Sequence, residues 1–219
     1  MAARWAPFVV LVLAAGCGGS KAPSAGALYA AAERGDTAAV RDLLERGADP
    51  NERGTGRRTA VTAAAYAGAA SVVRLLVDAG ADVDAQDEMR ANALLSTGET
   101  GDVAVLREVL RARPDLTRTN RFGGTALIPA ADRGHVDMVR ALLQTEIDAD
   151  HVNNLGWTAL LEAVILGDGG ERHREIVRLL LQAGADPNIA DRDGVTPLAH
   201  AHERGYAEIA DLIESAGGR

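Results

Sequence analysis

The 219-residue chain has a single cysteine, Cys17, so no disulfide can form within it. Aromatic residues make up only 3% of it, which excludes a large aromatic core and leaves Ala, Leu and Val to build whatever interior exists. Basic charge is in short supply as well. Lys and Arg number 23 against 31 Asp and Glu, a net charge of -8, and no basic stripe with interleaved aromatics is present, so nucleic acid is not an expected partner. The apolar stretch from Trp5 to Gly16 runs twelve residues, short of the roughly 20 that a membrane-spanning helix needs.

Catalytic and metal signatures are missing too. There is no His-Glu-x-x-His, Gly-x-Ser-x-Gly or phosphate-loop pattern. His200 and His202 stand two apart on an expected helix, so they point about 200° apart and cannot chelate one ion from one face. Asp82, Asp84 and Asp87 suggest a calcium loop only superficially, because the required glycine and distant glutamate are absent. No enzyme activity, cofactor or metal is expected.

What is present is a repeat. Six copies start at Gly26, Thr59, Asn92, Thr125, Thr158 and Thr196, in steps of 33, 33, 33, 33 and 38 residues. Nine residues after each start stands a glycine: Gly35, Gly68, Gly101, Gly134, Gly167 and Gly205. Two residues after each start the position is always apolar, from Leu28 to Leu198. A period of this size marks a stacked solenoid in which no unit buries its apolar face alone.

Local chemistry says what each copy must be. The starting Thr or Asn suits a helix N-cap, and the glycine nine residues on can adopt the left-handed conformation that ends that helix. A second helix follows, because Val73, Leu76 and Val77, or Val139, Leu142 and Leu143, form one apolar stripe at helical spacing. Gly47-Ala48-Asp49 and its equivalents then stop the second helix before an extended, turn-rich connector. This is an all-α repeat solenoid of about six helix-turn-helix units with hairpin-like connectors. Glu214 stands where other copies carry Leu or Val, which gives the last unit the polar outer face a terminal repeat requires.

Thr196-Pro197-Leu198, taken with the recurring glycines, resembles the ankyrin repeat family over residues 26–219. The departures are specific. No copy has His directly after the Leu, copies two to five have Ala in place of Pro after the start residue, and Arg113-Pro114 and Glu146-Ile147 replace Gly-Ala. The last two junctions are expected to be the weakest, with Gly-Ala in place of Glu146-Ile147 expected to stabilise.

Residues 1–16 read as a cleaved leader and 17–25 as an anchor and flexible tether. Leu13-Ala14-Ala15-Gly16-Cys17 resembles the lipobox of bacterial lipoproteins, which implies cleavage before Cys17 and lipid attachment to it. An ordinary cleaved signal, or a misassigned start with an incidental cysteine, is the competing reading. Gly18 is not the Asp that resembles an inner-membrane retention signal, so the expected location is the envelope, lipid-anchored in the outer membrane and facing the periplasm.

The resemblance implies a partner surface made of connector tips and the exposed side of each first helix. Apolar residues gather there on copies three to five: Met89, Phe122 and Leu155 at the tips, Trp157 beside the start residue, and Ile165 and Leu166 at the end of the first helix. Tyr66 holds the helix-end position in copy two, and Arg121 adjoins Phe122. These eight are the partner-binding candidates, although Trp157 serves equally well to cover a neighbouring connector. The charges on the connectors, including Arg58 and Asp87, read as a solvated mixed surface, and Asp168 to His173 as a tolerated loop extension. The expected function is a monomeric, membrane-tethered, non-enzymatic module that binds a protein. The rivals are an accessory factor of an envelope enzyme such as an oxidoreductase, or an immunity-type inhibitor of one toxin.

Overall fold

The computed structural model describes residues 23–219; Cys17 and the leader lie outside them. Twelve α-helices follow in six antiparallel pairs: α1 (Ala27–Glu33) with α2 (Thr37–Glu45), α3 (Ala60–Tyr66) with α4 (Ala70–Asp78), α5 (Ala93–Thr100) with α6 (Val103–Arg111), α7 (Leu127–Asp132) with α8 (Val136–Leu142), α9 (Ala159–Ile165) with α10 (Glu171–Gln182), and α11 (Pro197–Glu203) with α12 (Ala207–Ser215). Each first helix packs on the first helix of the next copy, and each second helix on the next second helix. One apolar cluster runs through all the copies from Leu28 to Ile213. Val40, Val73, Leu106, Val139 and Val177 are all fully buried at the same place on successive second helices, and buried alanines such as Ala64, Ala65, Ala130 and Ala131 keep the first helices close.

Four starts cap as expected. Thr59, Asn92, Thr158 and Thr196 each accept, through the side-chain oxygen, the backbone N–H three residues on. Thr125 does not, and the cause is Pro129. In the capped copies the carbonyl of the start residue takes the N–H four residues on, but Pro129 has none to give. The Thr125 carbonyl takes the Ile128 N–H instead, at 3.3 Å. That tighter turn leaves Thr125 Oγ1 buried with no partner among the described residues, and α7 begins only after Ala126. In the first copy the Glu52 carboxylate reaches back from the connector to cap α1, accepting from the N–H groups of Gly26, Leu28 and Tyr29.

The helix-ending glycines are left-handed at Gly35, Gly68, Gly101, Gly134 and Gly205, with φ of 67 to 74°. Gly167 departs from the expectation: the left-handed residue of copy five is Gly169, φ 69°. Gly167 is instead a close-approach site, since a Cβ there would lie 2.7 Å from the His173 ring. The extension itself is pinned rather than loose. His173 is buried, its Nδ1 pairs with Asp168 Oδ1 at 2.8 Å, and its Nε2 bonds the Asp132 carbonyl of the preceding copy at 3.0 Å.

The two unusual junctions differ from each other. Arg113 adopts the left-handed conformation itself, φ 52°, at the strain a non-glycine residue bears there. Glu146 does not. In its place the Thr145 hydroxyl bonds the Leu142 carbonyl at 2.6 Å and accepts the Ile147 N–H at 3.3 Å, so this junction has its own side-chain turn in place of the left-handed stop on which the expected gain from glycine rests. Glu146→Gly should lower unfolding free energy by roughly 0.5–1 kcal/mol through backbone entropy alone, measured by urea titration; a gain would mean that a left-handed stop is favoured there after all.

Candidate partner groove on the first-helix face

Four of the five connectors repeat closely, while the first, with Gly54 at the equivalent position, holds a short 3-10 turn at Thr55–Arg57. Asp87, Asn120, Asn153 and Asp191 each precede a start residue by five positions. The Oδ1 of each accepts two backbone N–H groups, from Met89 and Ala91, Phe122 and Gly124, Leu155 and Trp157, and Asp193 and Val195, at 2.8 to 3.1 Å. These turns satisfy the tip backbone from within and present the residue two places after the Asx. Met89, Phe122 and Leu155 are accordingly 44%, 54% and 50% exposed. Neighbouring tips are tied by backbone bonds, Glu88 N–H to the Gly56 carbonyl at 3.0 Å and Asn154 N–H to the Phe122 carbonyl at 2.9 Å.

Phe122 and Leu155 line one groove, of about 250 Å³, together with the exposed Leu166 and with Ile128 and Pro129 of α7. The Arg121 guanidinium sits 4.6 Å from the Phe122 ring centre and 3.6 Å from the Met89 sulfur, so those two residues continue the apolar strip past the groove. Trp157 and Ile165 are half-buried and do not line it. Tyr66 lies elsewhere on the same face, with Arg58 4.7 Å from its ring centre and its hydroxyl donating to Glu99 at 3.2 Å. Burial and the nearby Glu99 push its pKa up to about 12. Val152, 46% exposed, is an apolar tip-region residue that the repeat pattern did not single out.

The groove also has a polar set: Glu99, Asp132, Arg133, Asn120, Asn153 and Glu162. Glu162 is only 6% exposed. Its Oε1 accepts a 2.7 Å bond from Asn153 Nδ2. Burial, then the negative charge of Asp132, raises its pKa from 4.5 to about 7, with the Asn153 bond opposing. Between those two values the folded chain holds a proton that the unfolded chain has released, so this group makes stability fall as pH rises through that window, with its full cost present above the folded-state pKa. Glu162→Gln keeps the acceptor for Asn153 and removes the charge. It should therefore stabilise the chain by on the order of 1–2 kcal/mol at pH 8 and by almost nothing at pH 4.5. Chemical denaturation of both proteins at the two pH values checks this; equal differences at both would mean that Glu162 is well solvated.

Most of the connector charges are exposed as expected, among them Arg53, Arg57, Glu88, Arg121 and Asp193, but two acids are not. Asp87 pairs with Arg58 at 3.1 Å, its side chain only 2% exposed, and Asp191 pairs with His200 at 2.7 Å. The second-helix face is laced by ion pairs between copies: Arg74 with Glu108 at 2.6 Å, Arg111 with Asp78 at 2.8 Å, and Arg140 with Glu175 at 3.1 Å. The Arg74 hydrogen bond leads the effects that hold Glu108 below the usual carboxylate range. Among the described residues no group of three His, Cys, Asp or Glu could hold a metal ion.

Comparison with known proteins decides the family. A family model described as ankyrin repeats, three copies, matches residues 2–87 and 96–191. The chain is an ankyrin repeat protein. It is similar to the solved ankyrin repeat domain from Acinetobacter baumannii AYE, 46% identical, TM-score 0.85, covering 89% of this chain and 99% of that one. It also resembles the ankyrin repeat domain of Bcl-3, at 29% identity and TM-score 0.79, with 88% of this chain and 86% of that one covered. A putative ankyrin repeat protein of Escherichia coli, YahD, is 52% identical over 56 residues; the match spans 26% of this chain and 28% of that protein.

Ankyrin repeat domains are general protein-protein interaction modules, typically without enzymatic activity. In this ankyrin repeat chain the apolar candidates came from register, because tip residues have no packing duty. Glu162 was missed for the opposite reason: it lies on the α9 face that register assigns to packing between repeats, and only the groove shows that it faces an opening.

Proposed function

We propose that this chain is a non-enzymatic interaction module tethered to a bacterial envelope membrane by lipid on Cys17, and that it holds a partner protein in the groove lined by Phe122, Leu155 and Leu166. The observation that carries the reading is the groove itself. It is an opening on the face where the connectors present side chains, and three exposed large apolar residues, Phe122, Leu155 and Leu166, line it together. Exposed apolar side chains on adjoining repeats cost solubility and make no contribution to the solenoid core, and such patches mark interaction sites.

The tether rests on the sequence alone. Two or more acyl chains, at about 0.8 kcal/mol per buried CH2, hold a protein stably at a bilayer where one is marginal. Glycine, serine and proline between Cys17 and the first repeat suit a flexible spacer, and outer-membrane residence facing the periplasm follows from Gly18. The anchor is tested independently of the groove. Radiolabelled palmitate should enter the wild-type chain and Leu155→Ala but not Cys17→Ser, and only Cys17→Ser should leave the membrane fraction. Equal labelling of the first and last, or none in either, would refute the anchor.

A further inference from the structure

The acid in the groove bonds the turn residue Asn153, but that bond does not require a carboxylate. The acid's position, four residues after the start, is filled by Ala30, Ala63, Ser96 and Pro129 in the first four copies and by His200, bonded to Asp191, in the sixth, so the scaffold does without a carboxylate at this point elsewhere. In copy five it holds Glu162, more than nine-tenths buried, with Oε1 bonded to Asn153 and no partner for Oε2 among the described residues. A carboxylate taken from water without a counter-charge is costly, and an apolar or amide side chain would be cheaper. Asp132 and Glu99 line the same opening, against Arg133 as its one cationic side chain among the described residues. Asp132 adds to the negative field at Glu162, and Glu99 already accepts from Tyr66. The walls around these acids are apolar: Phe122, Ile128, Leu155 and Leu166.

Resting on the reading that this groove is the docking site, we propose that the partner segment entering it carries a lysine or arginine flanked by apolar residues, with the cation against Glu162 and Asp132 and the aliphatic stem between Leu155 and Leu166. The chemistry is that of a long basic side chain, whose methylenes suit an apolar wall and whose head needs a carboxylate. A bare metal ion is poorly served, since no group of three His, Cys, Asp or Glu placed to hold one occurs among the described residues. The opening, about 250 Å³, matches one such side chain and part of its neighbours. The chain's net charge of -8 favours the approach of a basic segment before contact.

The probe is a displayed library of random twelve-residue peptides, selected against the full chain in detergent micelles. Enriched peptides should share a Lys or Arg flanked by Leu, Ile or Phe. Their dissociation constants should rise at least about 30-fold on Glu162→Gln, which leaves an inserted cation unpaired, and should rise similarly on Leu155→Ala. Arg107→Glu, on the opposite face, should change them less than about threefold. Thermal midpoints of all variants confirm that folding is intact. Peptides that lose binding with Leu155→Ala but not with Glu162→Gln, or that lack a basic residue, would overturn the cation while leaving the groove in place. Peptides indifferent to Leu155→Ala, or no enrichment at all, would overturn both.

Discussion

Replacing Gly98 by alanine should destabilise the chain by about 2–4 kcal/mol, although helix propensity alone predicts a gain of about 1 kcal/mol. Gly98 lies inside α5, where other copies place Ala32, Ala65 and Ala131. A Cβ built on it would sit 2.1 Å from the Ala126 carbonyl oxygen, and backbone cannot swing aside as a side chain does. The carbonyl belongs to the uncapped start of α7, the turn tightened by Pro129, so the glycine of one copy answers the proline of the next. Gly47→Ala is the informative comparison. No described residue comes within 4 Å of a Cβ there, and only its φ of 83° opposes a side chain, so it should cost about 1 kcal/mol. Urea unfolding of both variants measures the contrast. Equal losses would show that the α5 to α7 contact yields easily and that Gly98 is an accident of sequence.

The same pair of helices shows how far the sequence could be read. The period, the helix-ending glycines and the apolar stripe predict six helix pairs, because each signal recurs and one copy checks another. Irregular copies escape that check. Pro129 and Gly98 each look like a local blemish, and only their contact shows that one accommodates the other. Gly167 keeps the pattern while the left-handed turn moves two residues on, since the extension supplies a second glycine and a histidine that pins it. In the groove, Phe122 and Leu155 were legible because they hold the same register position, three residues before a start, on successive tips. Trp157 adjoins a tip but is half-buried, and Glu162 was hidden within a helix face that is core in most copies. Register predicts what recurs; it is silent on what one copy alone carries.

The second large effect concerns binding. Phe122→Ala and Leu155→Ala should each weaken partner binding by a factor of about 30 or more, the scale of an interface residue worth about 2 kcal/mol, while leaving the thermal midpoint almost unmoved. Both side chains are at least half exposed, so truncation opens no cavity, whereas a buried aromatic cut to alanine costs about 3–5 kcal/mol. Trp157→Ala should behave differently, lowering the midpoint because the residue is half-buried. Charge reversal at Glu45 or Arg107, exposed on the second-helix face, should alter neither property. Calorimetric melting paired with affinity measurement separates the two kinds of residue. Tip variants that melt early and bind only in proportion to their folded fraction would make the strip structural.

The most direct test of the central claim, that a partner occupies this groove, is site-specific photo-crosslinking in intact cells. A photoreactive residue placed at Leu155, and separately at Phe122, should give one and the same protein adduct in the membrane fraction, and the adduct should vanish when Leu166→Ala and Glu162→Gln are added. The same residue at Arg107 should give none. Adducts of equal yield at Arg107, or none at either groove position while the protein remains folded and membrane-bound, would contradict the account.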